Sequence, residues 1–200
     1  MGDFILQFCN ISKSFFGVPV LKNVSIDVRR GHIVGLIGEN GAGKSTMMNI
    51  LGGVVPFDSG KLLLDGRDYA PHNPESATRA GIAFIHQELN LFTNLSIAEN
   101  LFINNFPYIG KTPFLNKVQI RTRTKEYLAM VDLNLSPDIT VDRLSPGERQ
   151  LVEVAKALSQ DASIIIFDEP TTSLTARETE RFFSIIDRLI NSHSTWHIRK

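Results

Sequence analysis

The segment G-E-N-G-A-G-K-S at residues 38–45 constrains the fold more than any other part of this 200-residue chain. It matches the phosphate-binding loop pattern G-x-x-x-x-G-K-[ST], whose glycines let the backbone curl until successive N–H groups point at phosphate oxygens. The pattern predicts that Lys44 reaches the β- and γ-phosphates of a nucleotide and that the Ser45 hydroxyl binds Mg²⁺. Chance produces such a match in roughly one chain of this size in a hundred, so nucleotide-phosphate binding is the favoured interpretation.

The segments on either side of this loop predict a strand–loop–helix unit. The apolar run at residues 32–37 predicts a short buried strand entering the loop. Residues 44–51 predict a helix whose positive N-terminus faces the bound anion and which ends at Gly52-Gly53. A chance glycine-rich turn is one alternative. A dinucleotide-binding fold is another, but the glycines are spaced G-x-x-G-x-G rather than G-x-G-x-x-G.

Composition excludes several classes of protein. The 21 basic and 21 acidic residues give no net charge, so nothing steers the chain toward nucleic acid or an anionic membrane surface. The single cysteine, Cys9, excludes an internal disulfide framework and fits a reducing compartment. We find no signal-peptide pattern and no apolar run as long as a membrane span. We therefore expect a cytosolic chain whose membrane association comes through a partner.

Apolar patterning divides the chain into a β-rich start and an α/β remainder. Residues 4–11 and 20–28 predict a pair of strands, and residues 61–64 predict a strand closed by an Asp65-Gly66 turn. Further segments are predicted as buried strands at 81–85 and 163–167, and as helices at 118–133, 149–159 and 175–190. Residues from about 90 to 160 are interpreted as a helical insertion in the α/β core.

Two adjacent carboxylates, Asp168 and Glu169, end the apolar strand at residues 163–167. The carboxyl edge of a parallel sheet is where ligands of open α/β folds bind. We assign Asp168 to the Mg²⁺ shell and Glu169 to the water that attacks the phosphate. Such a pair alone is an ordinary strand end, but about 124 residues after a phosphate loop the catalytic interpretation is favoured.

The segment L-S-P-G-E at residues 144–148 predicts a helix start. Ser145 and Glu148 match a capping box, and Pro146 falls at the first helical position. A well-capped helix is the simple interpretation. A helix N-terminus that displays a Ser hydroxyl and the Gly147 N–H is also an anion receptor.

The order of these motifs resembles that of ABC-type ATPases, from about residue 4 to residue 190. Segments similar to bacterial importers of the ribose, galactose and xylose type lie at residues 38–48, 85–91, 95–100 and 152–158. The resemblance implies an α/β P-loop NTPase fold of ABC type, with an N-terminal antiparallel β subdomain. It also implies a helical subdomain at about 90–160, inserted in a mainly parallel sheet.

The resemblance also implies a set of site residues, with ATP and Mg²⁺ as cofactors. Gln87 is expected to contact Mg²⁺ and the attacking water, and Phe15 is expected to stack on adenine unless it is a core or turn phenylalanine. Ser145 and Gly147 are expected to bind the γ-phosphate of ATP held by another subunit. The nucleotide contacts implied are Phe15, Gly38, Glu39, Asn40, Gly41, Ala42, Gly43, Lys44, Ser45, Thr46, Ser145 and Gly147. The catalytic set is Glu169, Gln87 and Lys44, and the metal set is Ser45, Gln87 and Asp168.

The implied function is ATP binding and hydrolysis by the nucleotide-binding subunit of a monosaccharide importer. The implied partners are a second ABC domain in a head-to-tail dimer, transmembrane permease subunits and, indirectly, a periplasmic sugar-binding protein, with no nucleic acid. The chain is similar to the N-terminal of the two ABC domains that such importers carry. The expected location is cytoplasmic, peripheral on the inner face of the cell membrane.

Two departures from the family pattern affect these expectations. Pro146 lacks an N–H and so offers no phosphate donor, whereas Glu148 should not oppose the nucleotide if it folds back into the capping box. The family continues with an apolar strand that ends in Ser-His, and the histidine contacts the γ-phosphate. Residues 191–200 do not reproduce this strand, so neither His193 nor His197 is assigned as the γ-phosphate contact. We expect an ABC domain over residues 1–190, an atypical tail over 191–200 and a core lacking one central strand. The alternative function is a truncated, non-hydrolysing nucleotide-binding fragment.

Overall fold

The chain forms two compact units, the first built on residues 3–80 and 190–193 and the second on Gly81–Leu189. A computed structural model describes residues 3–39, 41–86, 90–172 and 174–193, with the backbone alone for the last two of these.

The first unit contains a four-stranded antiparallel sheet. Strands β1 (Phe4–Phe15) and β2 (Val18–Arg29) form a hairpin closed by a two-residue turn, and β3 (Ser59–Leu64) pairs with the other side of β1. The short strand β4 (Arg67–Asp68) follows β3 after a tight turn. The strands predicted at residues 4–11, 20–28 and 61–64 are confirmed, and both strands of the hairpin are longer than the sequence pattern indicated.

Two helices complete this unit. Helix α1 (Lys44–Leu51) ends at Gly52 as predicted and buries Met47, Ile50 and Leu51. Helix α2 (Pro74–Arg79), which the sequence analysis did not predict, starts at a capping box formed by Asn73 and Ser76.

The predicted strand at residues 32–37 is wrong. The segment pairs with no strand among the residues that the structure describes. Its apolar side chains are exposed, with 59% of Ile33 and 97% of Ile37 accessible to solvent. An apolar run becomes a buried strand only when neighbouring strands supply its backbone hydrogen bonds, and none of the described strands does so for this run.

The second unit contains a two-stranded parallel sheet. Strands β5 (Ile82–Ile85) and β6 (Ile164–Phe167) pair in register, with Ile85 opposite Phe167. The backbone N–H of Asp168 then donates to the Ile85 carbonyl at 3.0 Å. The register therefore brings the carboxyl ends of both strands to the same edge, from which Asp168 and Glu169 continue.

Helices fill the chain between and after these strands. They are α3 (Ile97–Phe102), α4 (Lys117–Met130), α5 (Pro146–Ser159) and α6 (Ala176–His193). They share one apolar core with β5, and its fully buried members include Ile97, Val131, Val141, Val152 and Ile185. Because α6 continues to His193, the first residues of the expected atypical tail belong to a helix.

Candidate functional site

The phosphate loop is held against the hairpin by its last glycine. Gly41 and Gly43 have φ angles of 85° and 87°, in the region that side chains disfavour. A Cβ at Gly43 would lie 2.5 Å from Leu21 Cδ2 and 3.2 Å from the Val20 carbonyl oxygen. Only glycine fits here, and the close approach fixes the loop on β2. Asn40, a predicted nucleotide contact, lies outside the described residues.

Lys44 turns back onto the loop that it follows. Its Nζ donates to the carbonyl oxygens of Gly38 at 2.5 Å and Glu39 at 2.8 Å. The helix start behind it has no side-chain cap, because Gly43 occupies the N-cap position. The first turn of α1, with Ser45 exposed and Thr46 half-buried, therefore keeps its N–H groups and its positive end for an anion.

Phe15 ends β1 beside the hairpin turn and is 37% exposed, so it is not a core phenylalanine. Lys13 Nζ lies 5.4 Å from its ring centroid and 2.7 Å from Asp58. The hydrogen bond from Lys13, with a second from the Ser14 backbone N–H, lowers the pKa of Asp58. The ring is thus held next to a fixed ion pair, with part of its surface left open.

Asp168 and Glu169 are both exposed beyond the end of β6. Glu169 has a φ of 47°, a left-handed conformation that glutamate adopts at a cost. The Thr172 hydroxyl donates to the Glu169 carbonyl oxygen at 3.1 Å and lies 3.4 Å from its Oε2. The backbone strain and the bonded threonine together define where this carboxylate is presented.

The predicted metal ligands fall in different parts of the chain. Ser45 belongs to the first unit and Asp168 to the second, and Gln87 lies outside the described residues. A hydroxyl oxygen and an exposed carboxylate are the hard oxygen donors that Mg²⁺ prefers when phosphates and water complete its shell. The donor chemistry of Ser45 and Asp168 therefore fits Mg²⁺.

The start of α5 carries the predicted capping box. The Ser145 backbone N–H donates to Glu148 Oε2 at 2.8 Å, and the Glu148 N–H donates to Ser145 Oγ at 3.3 Å. Glu148 thus folds back onto its own helix, as expected. A cavity of about 110 Å³ lies beside this helix start, and the residues that line it include Gly147, Glu178 and Arg181.

Sequence reasoning missed Glu178 as a neighbour of this site. Glu178 Oε2 accepts from the backbone N–H and the hydroxyl of Thr175, at 3.0 and 2.8 Å, as the capping box of α6. Its Oε1 lies so close to Gly147 that a Cβ there would be 2.7 Å away. The T-x-x-E spacing at 175–178 indicates the capping box, but no local signal indicates the contact with Gly147.

Two side chains of α5 bind the backbone of Asn90, which follows the undescribed segment 87–89. Lys156 Nζ donates to the Asn90 carbonyl oxygen at 2.8 Å, and Glu153 accepts from the Asn90 backbone N–H. Burial raises the pKa of Glu153 above its ordinary value, although the nearby Lys156, the Asn90 N–H and His86 act in the opposite direction. Helix α5 is thereby tied to the chain three residues after Gln87.

Comparisons with known proteins place these features in context. The family model described as "ABC transporter" matches residues 21–172. The ribose import ATP-binding protein RbsA of Clostridium perfringens is 45% identical over 185 residues, which are 92% of this chain and 37% of that protein. The arabinose import ATP-binding protein AraG of Mannheimia succiniciproducens is 45% identical over 184 residues, 92% of this chain and 36% of that protein.

A solved structure supports the fold independently. That of cbiO1 from Clostridium perfringens, part of the ABC transporter complex cbiONQ, superposes with a TM-score of 0.81 at 22% identity, covering 96% of this chain and 75% of the other. The present chain spans little more than a third of the length of the curated relatives it matches. In the part of the chain that the structure describes, no helix is both long enough and apolar enough to span a membrane.

Proposed function

This chain belongs to the ABC transporter family, and from that premise we propose that it binds and hydrolyses ATP as the nucleotide-binding part of a monosaccharide importer. The observation that carries the proposal is the phosphate loop at residues 38–45. It leads into α1 with an uncapped helix start and an inward-turned Lys44. The names of the ribose and arabinose relatives support a monosaccharide as the transported molecule.

ATP binding requires a change of partners at Lys44. The ammonium group leaves the carbonyl oxygens of Gly38 and Glu39 for the β- and γ-phosphate oxygens, which carry more charge. The N–H groups of the loop and of the first turn of α1 hold the remaining phosphate oxygens. Phe15 offers the adenine ring a partly exposed aromatic face on the same unit.

Residues that follow β6 are proposed to carry out hydrolysis. Glu169 orients the attacking water and accepts its proton, held in place by its left-handed backbone and by Thr172. Ser45, Asp168 and Gln87 are the residues that would hold Mg²⁺, which when bound neutralises charge on the phosphates. Gln87 is in addition proposed to contact the attacking water.

The proposed assembly is a head-to-tail dimer with a second ABC domain, in which Ser145 and Gly147 act on the nucleotide of the partner. The dimer works under transmembrane permease subunits at the inner face of the cell membrane. A periplasmic sugar-binding protein is an indirect partner, and we propose no nucleic-acid partner. ATP binding closes the dimer and hydrolysis reopens it, and the permease converts the movement into alternating access.

The test of nucleotide binding is the melting temperature of the 200-residue chain during titration with Mg-ATP. We expect a saturable rise of about 5–10 °C at a hundred times the Kd. Lys44→Ala should abolish the rise. Lys61→Ala should keep it, because that lysine forms an exposed pair with Asp68 at 2.9 Å on the sheet. No rise for the unmodified chain would refute the proposal.

Phosphate release distinguishes hydrolysis from binding alone. Glu169→Gln should keep the thermal shift and lower the rate of phosphate release by about 100-fold or more. A saturable thermal shift without phosphate release from the unmodified chain would instead identify it as a non-hydrolysing nucleotide-binding fragment.

A further inference from the structure

The first turn of α5 satisfies its donors inside this chain. The Ser145 N–H donates to the Glu148 carboxylate and the Glu148 N–H to Ser145 Oγ. The Arg149 N–H donates to the Ser145 carbonyl oxygen at 3.0 Å. Pro146 has no N–H to offer. Of the backbone N–H groups from Ser145 to Arg149, only that of Gly147 is left for an acceptor from another element.

Its neighbour is Glu178, from the first turn of α6. The Glu178 carboxylate lies against the Gly147 backbone, and Gly147, after the two bonds from Thr175, helps to lower the pKa of Glu178. All three atoms nearest to a Cβ built on Gly147 belong to Glu178, namely Oε1 at 2.7 Å, Cδ at 3.1 Å and Cγ at 3.2 Å. The glycine is thus what lets this carboxylate reach the start of α5.

We propose that Glu178 is a built-in competitor that occupies the anion-binding position of α5 and must leave Gly147 before this helix start can bind a phosphate. The inference rests on the proposed function, in which that phosphate belongs to ATP on the partner subunit. One N–H hydrogen serves one strong acceptor at a time. A second anion beside the carboxylate would also be repelled by it.

The surroundings of Glu178 permit this exchange. The cavity of about 110 Å³ opens beside Gly147 and is also lined by Arg181, on the same helix as Glu178. The cavity gives the Glu178 side chain space to turn away from Gly147. Displacement of Glu178 therefore links occupation of the α5 start to the first turn of α6, a few residues after Glu169.

The test follows the Gly147 amide signal in the ¹⁵N-labelled 200-residue chain during titration with inorganic phosphate. We expect the signal of Glu178→Gln to respond at about tenfold lower phosphate concentration than that of the unmodified chain, since the amide competes less well than a carboxylate. Glu178→Asp, too short to reach Gly147 from its cap, should change the response in the same direction and serves if the glutamine variant folds poorly.

The matched control is Glu99→Gln. Glu99 occupies the same position in the capping box of α3, accepting from the Ser96 N–H at 2.8 Å and its hydroxyl at 2.6 Å. This variant should lose cap stability yet leave the Gly147 response as in the unmodified chain. An equal or weaker response in both Glu178 variants, or none in any variant, would overturn the inference.

The proposed function is judged separately in the same samples, from the signal of Gly43 in the phosphate loop during titration with Mg-ATP. If the Gly43 signal does not change during titration with Mg-ATP, the proposed ATP binding is contradicted, regardless of how the Gly147 signal responds to phosphate.

Discussion

The Asn100 side chain holds both polar groups of the Phe92 backbone. Asn100 Oδ1 accepts from the Phe92 N–H at 2.8 Å, and Nδ2 donates to the Phe92 carbonyl oxygen at 3.0 Å. A further bond from Nδ2 reaches the Ser96 carbonyl oxygen at 3.0 Å, and Asn100 is fully buried. The asparagine thus pins the chain that approaches α3 to the helix itself.

We therefore expect Asn100→Leu to lower the free energy of unfolding by about 1–3 kcal/mol, because the Phe92 N–H loses its acceptor. The Phe92 and Ser96 carbonyl oxygens keep their bonds from the Leu95 and residue-100 backbone N–H groups. Urea unfolding measures the loss. Asn105→Leu is the control, since Asn105 is exposed and should change stability by no more than about 0.5 kcal/mol. Equal losses for the two variants would contradict the proposed role of the Asn100 amide.

A second prediction concerns the exposed segment before the phosphate loop. Ile37 is 97% exposed and Ile50, on α1, is 1% exposed. Ile37→Ala should leave the urea midpoint nearly unchanged, whereas Ile50→Ala should cost about 2–5 kcal/mol. A comparable loss at Ile37 would show that the segment is buried as a strand in solution, as the sequence pattern alone predicts.

Features encoded by a few adjacent residues could be predicted from the sequence. The capping box of Ser145 and Glu148 forms as expected. The Asp65-Gly66 turn closes β3 with φ angles of 55° and 74°, which this dipeptide tolerates. The glycine spacing of the phosphate loop likewise identified the backbone that must curl at Gly43. In each case the interacting groups lie within about four residues of each other.

Features that depend on distant residues could not be predicted. The apolar pattern of residues 32–37 is that of a strand, but a strand exists only where another segment supplies its hydrogen bonds. The contact between Gly147 and Glu178 joins two helix starts that are far apart in sequence. Gly147 is explained locally as part of a helix start, and Glu178 as part of a capping box. Neither local pattern therefore predicts the contact between them.

A third prediction tests the strained backbone at Glu169. Glycine adopts a φ of 47° freely, so Glu169→Gly should be more stable than Glu169→Ala by about 1 kcal/mol. Both variants should lose phosphate release, because neither provides a carboxylate. Urea midpoints give the stability difference. Equal midpoints would mean that the left-handed backbone at this position is not strained, and would remove one reason for assigning Glu169 to the reaction.

A fourth prediction uses the close contact between α5 and α6. Gly147→Ala should destabilise the unmodified chain by about 1 kcal/mol, since the new methyl group overlaps Glu178 and forces its carboxylate away from the start of α5. In a Glu178→Ala background the same substitution should be neutral or stabilising, because the overlapping atoms are gone and alanine favours the helix. This reversal of sign, measured by urea unfolding in a double-mutant cycle, is not expected if Gly147 matters only as a phosphate contact.

The last prediction concerns the buried carboxylate of Glu153, which is 5% exposed and whose Oε1 has no hydrogen-bond partner among the described residues. Burial raises its folded-state pKa, so the carboxylate opposes folding fully above that pKa and not at all below the unfolded value of about 4.3. The stability of the unmodified chain should therefore fall as pH rises from the unfolded-state pKa of Glu153 to its folded-state pKa. Glu153→Gln, whose amide oxygen can still accept from Asn90, should be the more stable protein at pH 7. The advantage should vanish near pH 4 in urea midpoints measured across this range, with the exposed Glu126→Gln as control. A less stable variant at pH 7 would mean that the attraction of Lys156 for the carboxylate outweighs the cost of burying it.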